Sequence, residues 1–236
     1  MDSSKDKIWI TGASSGIGKS LSLVFAKNDY SVYATSRDED KLSKLYDAVD
    51  RKEKLKITSL DISSYQSVFN FVDQTFADEG IDCLINNAGI TSFKKTEHNS
   101  INEIDGIIQT NLLGAIYATN AVLPLMLKQQ RGTIINILSV VTEKVFLQSS
   151  LYSASKAGLK AFSKVLREEV REKNIRVINI YPGATETEIW SEKSREKFAH
   201  RMMKPDEVAE IILSLYKQPW NMVTEEIVLR PILGDL

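Results

Sequence analysis

In the stretch Val141–Lys156, VTEKVFLQSSLYSASK, Tyr152 is followed four residues later by Lys156 and preceded thirteen residues earlier by Ser139. A phenol with an unperturbed pKa near ~10 is a poor base at neutral pH. A neighbouring ammonium favours the phenolate and lowers that value. Residues four apart share one face of a helix, so Lys156 can lie beneath Tyr152. The pair could therefore move a proton to or from a reacting oxygen. Taken alone, it could equally be a packed aromatic next to a surface lysine, and the rest of the chain has to decide.

A second chemical feature lies near the N-terminus, in WITGASSGIGKS. A short apolar strand runs into a turn with glycines at 12, 16 and 18, and a helical pattern comes next. Glycine tolerates positive φ and lets a ligand approach the backbone. The helix start presents N–H groups and a positive dipole end, which suits a phosphate. The spacing G-x-x-x-G-x-G differs from the common dinucleotide G-x-G-x-x-G. It also lacks the glycine spacing of a P-loop, which disfavours a nucleotide triphosphatase. At the end of the next strand, VYATSRDEDKL places Ser36 and Arg37 where a carboxylate would select an unphosphorylated ribose. Arginine there welcomes a 2′-phosphate, so NADP(H) is favoured over NAD(H). The alternative for Arg37 is a solvated surface residue. Asp38, with Glu39 and Asp40, suits the start of the next helix.

The elements that must carry these residues alternate along the chain. Strand-length apolar runs (KIWIT, SVYATS, LKITSL, DCLIN, GTIINILSV, IRVINIY, EEIVLRP) are separated by segments with apolar residues three and four apart. Longer helices are expected from about 101 to 130 and from 152 to 173, and another after Pro205. Strands that are apolar nearly throughout, alternating with helices, imply a parallel sheet covered on both faces. The expected architecture is a single α/β domain over residues 1–236, a doubly wound, seven-stranded Rossmann fold. Residues 184–204, ATETEIWSEKSREKFAHRMMK, form a long polar insertion expected to be an irregular lid or binding loop.

Composition narrows the chemistry. The 236 residues include 30 basic and 31 acidic side chains, and no basic stripe is evident. Nucleic acid and anionic membrane are therefore disfavoured as partners. One cysteine, Cys83, excludes an intramolecular disulfide, and two histidines, His98 and His200, leave no metal-ligand spacing. No uninterrupted apolar run reaches about 18–20 residues, and a cytoplasmic protein is expected. Cys83 reads as a buried apolar residue and His98 as a solvated one.

Taken together, these motifs resemble the short-chain dehydrogenase/reductase family: Thr11-Gly12-x-x-x-Gly16-x-Gly18, Asn86-Asn87-Ala88-Gly89, Asn111, Ser139, Tyr152-x-x-x-Lys156, and Pro182-Gly183 with Thr187. The ending, with KPDEVAEII before it, is similar to the branch containing bacterial serine and 3-hydroxy-acid dehydrogenases. The resemblance implies an oxidoreductase acting on a small alcohol or carbonyl compound. Tyr152 would be the acid in reduction and the base in oxidation. Ser139 would hold the substrate oxygen, and Lys156 would bond the nicotinamide ribose. Asn111 would anchor a water in a proton relay, or else merely kink its helix.

Cofactor contacts would come from Gly12, Ser14, Ser15, Gly16, Ile17 and Gly18 in the turn. Ser36 and Arg37 would take the ribose end, with Asp61 and Ile62 at the adenine. Asp61 could instead serve the start of the following helix. Asn87, Ala88 and Gly89 would pass close to the cofactor, with Pro182, Gly183, Thr185 and Thr187 near the nicotinamide. Trp190, Phe198, Met202 and Met203 would either wall the substrate or pack the insertion down. Two departures stand out: Thr142 replaces a frequent glycine three residues after the serine, and a glycine-rich C-terminal stretch is missing. The resemblance further implies a homodimer or homotetramer. A dinucleotide-binding sensor or scaffold on the same fold is the alternative reading.

Overall fold

The computed structural model describes residues 6–236. Its strands are β1 (Lys7–Thr11), β2 (Ser31–Ser36), β3 (Leu55–Ser59), β4 (Cys83–Asn86), β5 (Gly132–Ile137), β6 (Ile175–Pro182) and β7 (Glu226–Leu229). The helices are α1 (Gly16–Lys27), α2 (Glu39–Asp47), α3 (Tyr65–Phe76), α4 (Ile101–Ile108), α5 (Gly114–Gln129), α6 (Ser150–Val170), α7 (Glu192–Phe198) and α8 (Pro205–Tyr216). Among the described residues the strands form one sheet in the order β3-β2-β1-β4-β5-β6-β7. Every pairing within it is parallel.

The apolar strand runs are explained by this layering. Along β1, Ile8 and Ile10 enter one core and Trp9 the other. Along β5, Ile135 and Ile137 face the first and Ile134 the second. With a core on each face, both sets of alternating residues must be apolar. One core is closed by Leu21 and Phe25 of α1 and Ile212 of α8, the other by Phe71 of α3, Val122 of α5 and Leu166 of α6. The strand order turns back between β1 and β4. That switch point opens a crevice at the carboxyl ends of the strands, the usual place for a ligand in an open α/β sheet.

Two expectations need correcting. The helix expected over 101–130 is two helices joined by a π-turn, Gln109–Leu113, with Asn111 at its middle. The wider turn spans one extra residue per hydrogen bond. The insertion is not irregular: Ser191 caps α7, accepting from the Ser194 N–H, and a short 3-10 turn covers Ala199–Arg201. Finally, Ile101–Gln129 is long and apolar enough to cross a bilayer by length and composition. Asn102, Glu103, Asp105 and Asn111 interrupt its apolar residues. Half of its most apolar window is buried inside the fold, packed on α3, α6, β4 and β5.

Candidate active site

The ends of β1 and β4 are stapled together before any ligand is considered. The Thr11 hydroxyl accepts from the N–H groups of Asn87 (3.0 Å) and Ala88 (3.1 Å). In return the Asn87 amide donates to the carbonyls of Thr11 (2.9 Å) and Gly12 (3.0 Å). Gly12 and Gly16 have φ of +64° and +52°, where an L side chain is strained. A Cβ on Gly12 would lie 2.6 Å from the Ala88 Cα. At Gly18 it would lie 2.3 Å from the Gly12 carbonyl oxygen and 2.4 Å from Asn87 Nδ2. Gly18 thus lets α1 pack against the turn and is not on the cavity wall. Gly18→Ala is expected to lower stability by about 1–3 kcal/mol and to weaken dinucleotide binding at least about tenfold, checked by thermal melting and nicotinamide fluorescence.

The turn opens into a cavity of about 600 Å³ that reaches from Ser36, Arg37 and Lys41 at one end to Ser139, Tyr152 and Lys156 at the other. Ser15 caps α1 only by its backbone, and the first turn of α1 holds no acidic residue. Its N–H groups and positive dipole end therefore suit the phosphates of a dinucleotide. Ser14, Ser15, Gly16 and Ile17 line this section. Beyond it, the Ser36 hydroxyl donates to Ser14 Oγ at 2.8 Å. Arg37 is exposed on the wall, with the Asp61 carboxylate in electrostatic reach.

Asp61 itself does not line the cavity. Its Oδ1 accepts from the N–H and hydroxyl of Ser63 at 3.0 and 2.7 Å, while Ser64 caps α3. The helix-start reading of Asp61 is the one this geometry favours, and the adenine contact has no support in it. Ile62 does line the wall, as do Asn87, Ala88, Gly89, Pro182, Gly183, Thr185 and Thr187.

At the far end, Ser139 follows β5 in extended conformation, with Oγ accepting from the Val141 N–H at 3.3 Å. Tyr152 and Lys156 occupy the first turns of α6 and are 9% and 3% exposed. The Ser139 hydroxyl is close enough to Tyr152 to influence its proton affinity. Lys156 Nζ lies 5.8 Å from the centre of the Tyr152 ring and donates to the Ile137 carbonyl at 2.7 Å. Gly89 faces the same group: a Cβ there would meet Lys156 Nζ and Asn111 Oδ1, each at 3.6 Å.

Burial sets the proton affinities. It pushes the Tyr152 pKa up to about 12, against the lowering effect of the Ser139 hydrogen bond. It lowers Lys156 to about 8. The expected depression of the phenol by the ammonium is therefore reversed in the protein alone, because the two groups are desolvated together. At neutral pH the phenol of the protein alone is therefore protonated.

Asn111 is fully buried in the π-turn, behind the cavity wall. Its Oδ1 accepts from the Ile90 N–H at 2.8 Å, and its Nδ2 donates to the Ile90 carbonyl at 2.8 Å and to Ser155 Oγ at 3.0 Å. Ser155 in turn donates to the Tyr152 carbonyl at 2.8 Å. Both amide protons are engaged, so a water could meet this side chain only by donating to the remaining lone pair of Oδ1. The Thr142 hydroxyl, in place of the frequent glycine, donates to the Ser139 carbonyl at 3.0 Å.

The sequence missed several wall residues: Lys41, Thr91, Phe93, Phe146, Glu188 and Asp235. Lys41 had a signal, four residues after Arg37 on the same helical start. It pairs at 2.5 Å with Glu188 of the insertion, which ties that segment to α2 across the cavity mouth. Trp190 stacks on Phe93, with ring centres 5.3 Å apart and planes at 21°, and both line the cavity. Met202 is buried and Met203 packs on the core, so these two hold the insertion down. Neither Phe198 nor His98 is on the wall. Cys83 is fully buried, and burial pushes its thiol pKa up.

Known proteins place this arrangement. The short chain dehydrogenase family profile matches residues 6–197. An uncharacterized oxidoreductase of Staphylococcus saprophyticus is 33% identical over 97% of this chain and 98% of its own. The sepiapterin reductase of Chlorobaculum tepidum is 34% identical over 98% of each chain. Among solved structures, the closed form of a serine dehydrogenase complexed with NADP+ superposes with a TM-score of 0.90 at 26% identity, covering 98% of this chain and 96% of that one. This last similarity agrees with the branch suggested by the C-terminal sequence. A glycine turn at a sheet switch point, joined by one cavity to a buried serine, tyrosine and lysine, is thus found in a chain that belongs to the short-chain dehydrogenase family of oxidoreductases.

Proposed function

We propose that the protein is an NADP(H)-dependent oxidoreductase that reduces a small carbonyl compound to an alcohol, with Tyr152 as the general acid. The observation that carries this reading is the single cavity joining the anion-suited turn and Arg37 to Ser139, Tyr152 and Lys156. The bound nicotinamide would supply a hydride to the carbonyl carbon. Ser139 and Tyr152 would hold the carbonyl oxygen, and the Tyr152 hydroxyl would pass its proton to that oxygen as negative charge develops. Lys156, charged below about pH 8, would stabilise the phenolate left behind and bond the nicotinamide ribose. In the reverse direction the same residue would act as the base, as a phenolate that the Lys156 ammonium stabilises.

Arg37, exposed on the wall where a 2′-phosphate would sit, supports NADPH over NADH, with Lys41 beside it in an ion pair with Glu188. Arg37→Ala is expected to weaken NADPH binding about tenfold and leave NADH nearly unchanged, read by nicotinamide fluorescence. Equal losses for both cofactors would contradict the assignment. The Phe93 and Trp190 rings favour a substrate with a planar conjugated part, a feature consistent with the similarity to a sepiapterin reductase. The competing reading, a dinucleotide sensor or scaffold, gives no reason for Ser139, Tyr152 and Lys156 to converge in a buried pocket. A cytoplasmic homodimer or homotetramer, paired through α5 and α6, completes the proposal; Val165 of α6 is left 61% exposed in one chain. Light scattering of the purified protein tests the assembly.

A further inference from the structure

Around Ser139 and Tyr152 the cavity is walled mostly by apolar and aromatic side chains: Phe93, Val140, Val141, Phe146, Ile189 and Trp190. Phe93 and Trp190 are stacked on each other, while Val140, Val141 and Phe146 belong to the loop that follows Ser139. The charged wall residues are distributed unevenly. Arg37, Asp38, Lys41 and Glu188 gather at the cofactor end, where Lys41 pairs with Glu188. Lys156 and Asp235 are the charged wall residues left for the other end.

Other cations stand behind this wall, and each is already engaged. Lys144 Nζ and an Arg230 guanidinium nitrogen meet Asp235 Oδ2 at 3.2 and 3.5 Å. Lys160 pairs with Glu143 at 2.5 Å. Arg201 of the insertion donates to the Asp235 and Leu233 carbonyls at 3.1 and 3.4 Å. None of these four lines the cavity, and neither do Lys193 and Arg195 of the insertion. Lys156 is 3% exposed and donates to the Ile137 carbonyl; in the mechanism above it serves the phenolate and the nicotinamide ribose.

A carboxylate brought to this end would leave water for an apolar wall without gaining a cation, which is unfavourable. An aromatic ring is favoured by the same transfer and gains ring contacts from Phe93 and Trp190. We infer that the protein takes neutral aryl ketones or aldehydes and discriminates against oxo acids of the same shape. A hydroxy-acid or oxo-acid substrate, which the C-terminal resemblance would imply, does not suit this wall. The inference rests on the carbonyl-reduction reading above and fixes the charge class of the carbonyl compound.

Benzoylformamide and benzoylformate make a matched probe pair: the same phenyl ketone carries a neutral amide in one and a carboxylate of nearly the same shape in the other. The protein is loaded with 1,4,5,6-tetrahydro-NADP, whose neutral ring gives up no hydride, and each compound is titrated by calorimetry at pH 7. Wild-type protein is expected to bind the amide at least about tenfold more tightly than the acid, because only the acid must shed the hydration of a charge. Trp190→Leu, which keeps the wall apolar but removes the stacked ring, should weaken the amide at least about threefold. Equal or tighter binding of benzoylformate, no binding of either compound, or undiminished binding of the amide by Trp190→Leu would overturn the inference. Reduction is read separately from NADPH absorbance. Failure to oxidise NADPH with bound benzoylformamide would count against the catalytic reading while the binding comparison still decides the charge class.

Discussion

Tyr152→Phe will lose about 10²–10⁴-fold in turnover, the range that a positioned general acid supplies, while NADPH binds within about twofold of wild type. The ring fills the same buried space on α6, 9% exposed, so the fold should survive. What disappears is the phenol hydroxyl, the proton donor of the proposed mechanism. Because binding and chemistry are read on one protein, a kcat fall without a change in cofactor affinity isolates the acid role. Turnover unchanged in the variant would remove Tyr152 from the mechanism.

Lys156→Met should produce opposite effects on activity and stability. Turnover is expected to fall at least about 100-fold, because no ammonium remains to stabilise the phenolate. The protein without cofactor should nevertheless become more stable at pH 7. Burial lowers the Lys156 pKa from 10.5 to about 8, so between those values the unfolded chain binds more protons than the folded one. Stability then rises with pH across that window, and the burden of a buried charge is fully present below about pH 8. Methionine removes it, for a gain of about 1–3 kcal/mol at neutral pH after loss of the Ile137 hydrogen bond. The difference between variant and wild type should shrink as pH rises towards 10. The same titration predicts that kcat/KM for reduction declines above about pH 8 in the wild type, while Tyr152 stays protonated. A thermal melt series over pH 6–10 checks the sign: a variant less stable than wild type at pH 7 would mean that Lys156 is held by more than it loses to burial.

The sheet and the two ends of the cavity were legible because each rests on local, periodic or spacing-bound signals. The strands declare themselves by apolar runs that must serve two cores, and the glycines by the backbone approach that a Cβ would block. Tyr152 and Lys156 share a helix face, a relation fixed by their separation. Asp61 was ambiguous because a residue between a strand and a helix can serve either, and only the two Ser63 hydrogen bonds favour one side. The π-turn at Asn111 escaped notice because a single extra residue barely perturbs helical periodicity. The phenol pKa was misjudged because sequence reveals the neighbouring charge but not the desolvation that outweighs it. Phe93, Trp190 and Asp235 come from three distant segments, and their meeting on one wall is a property of packing that no short window contains.

The most direct test of the mechanism tracks the hydride itself. Wild-type protein would be incubated with isatin and NADPH deuterated at the transferable C4 position, and the product examined by mass spectrometry. Hydride transfer assisted by Tyr152 predicts one deuterium on the carbinol carbon of the alcohol, formed by wild type and essentially absent with Tyr152→Phe. Product without the label, or equal labelling by the variant, would contradict that mechanism.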